Sequence, residues 1–328
     1  MAQWCTRCAV VLGAALLVLC VPSADAWYAQ GHARVTEATV AMLPDAVPAF
    51  FRDGATTIGI YAAEPDLLAS SGLAALSATE GPEHFLDHEL LGGAQLPATR
   101  YEFIALCARK ELEPAKVGML PYALLEAGQR LTFAFAEHRR WPDDPQIRNK
   151  CLLYAGLVAH YAQDLCQPLH TTVHYDGRAK PDGTSPQTGI HAKVDALLEH
   201  SDAWPYLPGD APPTPAPTAC PSLWSGILEE LQRSHALVER VYELEAELPT
   251  PHSLRGLPMD VAAFAQERFA AGARFTATVF VTAWRDSAEV KLPDWHPAPR
   301  QRVVPPMPMP QPLPPQRPQG DTKPGNAE

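Results

Sequence analysis

The chain predicts an all-α fold: a single multi-helix domain followed by a disordered proline-rich tail. Three observations carry this. Apolar residues recur at helical spacing in successive segments, no segment shows convincing period-two alternation, and the apolar run over residues 152–165 leaves no wide polar face. No internal repeat is present.

Taken in order, residues 33–51 form an amphipathic pattern, with Gly54 as its stop. Residues 62–81 are mixed and contain Glu64-Pro65-Asp66. A Gly81-Pro82 turn signal then precedes the polar cluster from His84 to Glu89. Helical patterns continue over 100–112, 121–137 and 145–167. Pro168 ends the last of these, because it has no N–H to donate and disfavours helix at Gln167. Residues 176–189 are a Gly/Pro/Ser-bearing loop, and a helix opens at Gly189. Residues 207–221 are a proline-rich loop, followed by helices over 222–247 and 259–287. The folded domain is expected to span 27–295. The tail, 296–328, is rich in Pro and Gln and cannot bury a core.

With 328 residues, 46% of them hydrophobic, the chain can bury a sizeable core. Its formal net charge of -11 disfavours nonspecific binding to a polyanion. Residues 1–26 have the pattern of a secretory signal: Arg7, an apolar core over 8–21, and Ala24-Asp25-Ala26 as the cleavage site. The core is too short for a membrane anchor, and no later segment is long enough to span. A secreted or periplasmic protein beginning at Trp27 is expected. Its mature cysteines are Cys107, Cys151, Cys166 and Cys220, which allow three pairings. A Cys151–Cys166 bond is disfavoured, since one helix would separate them by about 22 Å. Buried free thiols are the simplest expectation.

The chemistry concentrates in residues 152–174. There a buried-looking helix carries His160 and Asp164 at i and i+4, on one face, and the turn at Pro168 brings His170 round from another direction. An unpaired buried charge costs several kcal/mol, and metal coordination is one environment that offsets it. His191 and Asp195 repeat the i, i+4 spacing. Singly, each spacing is common. Together they form His-x3-Asp-x5-His, then Gly-x-His-x3-Asp, downstream of Trp27 and a Gly31-His32 pair.

This combination resembles the superfamily of zinc-dependent bacterial phospholipases C and fungal single-strand-specific nucleases. The resemblance implies a helical enzyme holding three Zn2+ ions. It implies one site of Asp66, His84, His160 and Asp164. A second shares Asp164 and adds His32 with the amine and carbonyl of Trp27. A third uses His170, His191 and Asp195. Imidazoles and carboxylates without thiolates suit catalytic zinc. The expected reaction is phosphodiester hydrolysis by a metal-activated water, with Asp66 orienting it or acting as general base.

Gln167-Pro168-Leu169-His170 and the Trp27-to-His32 spacing look like the nuclease branch. Ala69 and Thr188-Gly189-Ile190 depart from it, and Gly189 to Asp195 resembles the phospholipase segment. A phospholipase C-like activity is therefore expected, on a phospholipid head group with transient membrane-surface contact. The alternatives are a single-strand nuclease or nucleotidase, and a non-catalytic secreted zinc-binding helical protein. Asp87, His88 and Glu89 either orient ligands or form a solvated turn. His138, His200, His235, His252 and His296 read as surface residues, Lys193 as solvated, and the charges over 100–113 as a solvated helix face.

Overall fold

The computed structural model describes residues 28–204, 216–253 and 255–296. The expected leader, Trp27, most of the proline-rich loop and the tail beyond His296 lie outside the described residues. The described residues up to Leu292 form one compact unit. Among the described residues the chain is helical, and extended backbone pairs only at two isolated bridges, Leu86 with Gly118 and Tyr175 with Gly177. None of the described helices is long and apolar enough to cross a membrane.

Helix α1 (Ala29–Ala41) stops well short of the expected boundary, because Pro44 and Pro48 cannot donate to a continuing ladder. Helix α2 (Ala49–Arg52) is a single turn after Pro48. Helix α3 (Ala55–Ala62) follows Gly54, and most of the mixed stretch beyond it is helical after all, as α4 (Glu64–Ala69, with Pro65 in its first turn) and α5 (Ala74–Glu80). Thr99 caps α6 (Arg100–Arg109), which is followed by α7 (Pro114–Val117) and α8 (Leu120–Arg140). Asp144 accepts from two backbone amides to start α9 (Pro145–Leu165). After α10 (Ile190–Asp195), the expected 222–247 helix divides into α11 (Leu223–His235) and α12 (Val238–Glu243). The long α13 (Met259–Asp286) completes the unit.

Helix α9 is the centre of the packing, against α8, α3 and α13. Beside it the Phe51, Phe135 and Phe280 rings meet with centroids 5.0 and 5.2 Å apart, all fully buried. Each such side chain contributes about 1.5–3 kcal/mol by leaving water. Gly156 sets the approach of α3 to α9. A Cβ there would collide with Tyr61 and sit 3.0 Å from the amide nitrogen of Ala62. That closeness brings the Ala62 carbonyl to His160, one helical turn beyond Gly156.

Two surface expectations are corrected here. His138 is buried, because its face of α8 packs on Phe50 with ring centroids 4.5 Å apart. Arg100 is not a solvated charge. It reaches back to Glu83 and Glu126 and ties the turn before His84 to α8. Cys107, Cys151, Cys166 and Cys220 are all free thiols. Burial pushes Cys151 up to about 12, so its thiolate is scarce.

Candidate metal centre

Three groups of side chains each bring their ligand atoms within 4.8 Å of one another: His32, His160 and Asp164; Asp66, His84 and His160; His170, His191 and Asp195. All eight described residues expected at the site are therefore present in these groups. Trp27 lies outside the described residues.

The geometry follows from local structure. His160 and Asp164 stand one turn apart at the buried end of α9, with Nε2 to Oδ2 at 3.2 Å. His84 ends a short 3-10 helix (Gly81–His84), held by Arg100 on the preceding residue. The chain turns after Cys166, and a second 3-10 helix (Pro168–Thr171) carries His170. Two hydrogen bonds tie these segments together: Leu86 N donates to His170 O at 2.8 Å, and His170 Nδ1 donates to His84 O at 2.6 Å. Gly118, at φ 92, lies where any Cβ would strike the Phe85 carbonyl, so this backbone crossing needs glycine. On α10, His191 Nε2 lies 3.0 Å from Asp195 Oδ2.

Four atoms converge most tightly. His84 Nδ1 lies 3.0 Å from His160 Nε2, 3.2 Å from Asp164 Oδ2 and 3.6 Å from Asp66 Oδ1. His160 Nε2 lies 3.9 Å from Asp66 Oδ1. Ligands of a tetrahedral zinc with bonds near 2.0–2.1 Å are about 3.3 Å apart. The His–His and His–Asp separations lie around that value, while Asp66 and Asp164 fall in two different groups that share His160. The other oxygen of Asp164, Oδ1, faces His32 Nε2 at 3.4 Å, so one carboxylate looks into two groups.

Four of the five outer ring nitrogens are engaged, and the fifth, His84 Nε2, is buried without a hydrogen-bond partner. Nδ1 of His160 donates to Ala62 O, Nδ1 of His170 to His84 O, and Nδ1 of His32 to Gln163 Oε1 at 2.7 Å. His191 Nδ1 makes a longer bond, 3.3 Å, to Tyr175 O. A proton held on Nδ1 leaves the Nε2 lone pair free to ligate, which is how proteins orient metal-binding histidines. His84 differs, presenting Nδ1 to the group.

Inside, the pattern inverts. Both Asp164 oxygens, Asp195 Oδ2, His170 Nε2 and His191 Nε2 are buried without a directed hydrogen bond. No lysine or arginine pairs with Asp66, Asp164 or Asp195 among the described residues. Buried polar atoms are rarely left in this way. Burial raises the pKa of Asp164, but His160 and His170 outweigh it and hold the carboxyl well below the ordinary range. Asp195 is lowered likewise, by His191 and His170 acting against burial. Burial wins at His160 and keeps it neutral. His32, His84 and His191 are raised, since Asp164 for the first two and Asp195 for the third outweigh burial. Ionised carboxylates and lone pairs facing a common space make a donor set that fits a divalent cation.

Several nearby residues escape the spacing argument. Gln163 and Gln167 are fully buried and bond to His32 and Asp195. Tyr161 packs edge-on to His84 and His160 and donates to Glu80. Of the ambiguous trio, Asp87 is buried, and burial with Glu89 nearby pushes its pKa up to about 7. Glu89 accepts from Thr172 Oγ1 and Val173 N, so it braces the His170 segment. One weak signal was available for the glutamines: uncharged polar side chains in an otherwise apolar buried run.

No family model matches the sequence, and no curated protein matches it.

Proposed function

We propose that the protein is a zinc-dependent phosphodiester hydrolase of the phospholipase C type, working with three metal ions. The observation that carries this is the convergence of Asp66 and Asp164 on the buried pair His84 and His160, with His–His and His–Asp separations of 3.0–3.9 Å. Zinc held by these residues would supply Lewis acidity and a water whose pKa falls towards about 7.

The chain's own residues divide the work. Asp66 has a side chain 14% exposed, against 0–6% for His84, His160 and Asp164, so it is the one of the four most accessible to water. It is placed to orient the attacking water and accept its proton. Asp164 would offer one oxygen to each of two ions, and the second site would draw on His32 and, by resemblance, on the Trp27 terminus. His170, His191 and Asp195 would hold a third ion, which would supply positive charge to stabilise phosphoryl oxygens and a leaving alkoxide.

Charge and exposure favour a lipid over a nucleic acid. Residues 53–99, which contribute Asp66 and His84, contain no lysine or arginine. Nucleic-acid binding normally draws on such cations. The helices flanking Asp66 instead expose Ile60, Leu67, Leu73 and Leu76.

The test is metal analysis of the processed protein, then turnover of bis-p-nitrophenyl phosphate, phosphatidylcholine vesicles and single-stranded nucleic acid. About three zinc per chain and turnover of the first two are expected. Preference for nucleic acid would move the protein to the nuclease branch, and metal without turnover would make it a binding protein. A form retaining residues before Trp27 should lose one zinc and most activity, because an amide nitrogen cannot replace the terminal amine as ligand.

A further inference from the structure

We infer that Gln163 and Gln167 are positioning residues of opposite polarity, Gln163 holding His32 by accepting a hydrogen bond and Gln167 holding Asp195 by donating one. This rests on reading the histidine–aspartate groups as metal cages. Both side chains have 0% exposure, and neither carries charge.

The orientation of Gln167 follows from its neighbours. Its Oε1 accepts from the backbone N–H of Leu169 at 2.5 Å, so its NH2 end must face outward. That end donates to Asp195 Oδ1 at 2.8 Å, leaving Oδ2 towards His191. At Gln163, Oε1 takes the Nδ1 proton of His32 at 2.7 Å, while Nε2 donates to the fully buried Thr36 at 3.0 Å. A His32 that ligates through Nε2 needs its proton on Nδ1, and only an acceptor can hold it there. The two glutamines lie near the end of one helix, yet their clients come from the two flanks of the sequence. One segment therefore sets the rotation of a ligand in each of two metal groups.

Polarity makes the roles separable. A carboxylate at position 163 still accepts from His32. A carboxylate at 167 can donate to Asp195 only while it carries a proton. The full-length processed protein and its Q163E, Q163L, Q167E and Q167L variants would be titrated with zinc against a chromogenic chelator across pH. Cobalt(II) spectra would report the ligand field. Q163L and Q167L should each weaken one zinc by roughly 10–100-fold, the usual cost of losing an outer partner. Q163E should keep wild-type affinity, and Q167E should fall further below wild type as pH rises. Melting in excess chelator checks that each variant folds. If Q163L does not, T36V carries the test, and should weaken the His32-side zinc while sparing the other. Glu variants that behave alike, or leucine or T36V variants with wild-type zinc affinity and cobalt spectra, would overturn the inference alone. A wild-type protein that binds no zinc would overturn the proposed function and this inference together.

Discussion

Glu83 and His84 are neighbours in sequence, yet they belong to opposite kinds of buried polar region. Glu83 is clamped by Arg100, which also holds Glu126. Glu230, 3% exposed, is likewise met by Arg233 and by the Cys166 thiol. In both places a carboxylate is answered by a guanidinium that cannot leave. One residue further on, the region around His84 gathers three carboxylates whose charge no guanidinium or ammonium answers among the described residues; imidazoles face all three, and the neutral Gln167 amide bonds Asp195. The fold thus has the means to neutralise an acid permanently, and it does not use them here. A buried acid paired with arginine is finished structure, whereas one facing only neutral or titratable groups has a charge that a cation from outside would balance.

The largest expected effect breaks the second region. Asp164→Asn keeps the volume and removes the charge shared by two groups. Metal affinity, read by chelator competition, should fall by more than about 100-fold, beyond the usual cost of losing an outer partner. Retained binding would show that the carboxylate is not a ligand.

Acidification should come next. Metal needs neutral imidazoles, and His32, His84 and His191 are raised above 6.5, so release on lowering pH should begin above the ordinary histidine range. The metal-free protein should respond with the opposite sign. There the protonated histidines stabilise the fold below their unfolded value, and that contribution is lost as pH rises through the raised one. The lowered Asp164 and Asp195 contribute above 3.8 and lose that only as pH falls through their folded values. Melting with and without chelator across the histidine range should therefore diverge as pH rises. Parallel curves would remove the metal from the account.

Arg100→Ala sharpens the contrast from the other side. It should cost about 1.5–3 kcal/mol of stability by stranding Glu83. The loss should be equal with and without metal if the two regions are energetically distinct. Smallest in stability is Gly156→Ala. Helix propensity would favour alanine by about 0.5–1 kcal/mol, but overpacking against the α3 backbone costs about 1–3 kcal/mol. A net loss in melting temperature is expected, with weaker metal binding as the Ala62 carbonyl shifts off His160.

Legibility in the sequence followed the range of each interaction. His160 with Asp164, and His191 with Asp195, could be read directly because helical spacing alone puts them together. His32, Asp66 and His84 came through resemblance, since nothing local signals that they converge. Gln163, Gln167 and the Ala62 carbonyl stayed hidden because their partners lie 131, 28 and 98 residues away. Helicity was evident, but the apolar period carried α1 through two prolines that end it, and the glutamate and arginines around His138 masked its packed face.

The ligands are scattered from His32 to Asp195, with no pair of neighbours among them. No fragment that stops short of the end of α10 or begins after His32, and no nascent polypeptide at that stage, possesses the whole cluster. Loading with cations would then be a late event in the life of the molecule, and a measure of its completeness. Occupancy would mark a copy whose chain is whole from His32 to Asp195 and distinguish it from any that is cut within that span.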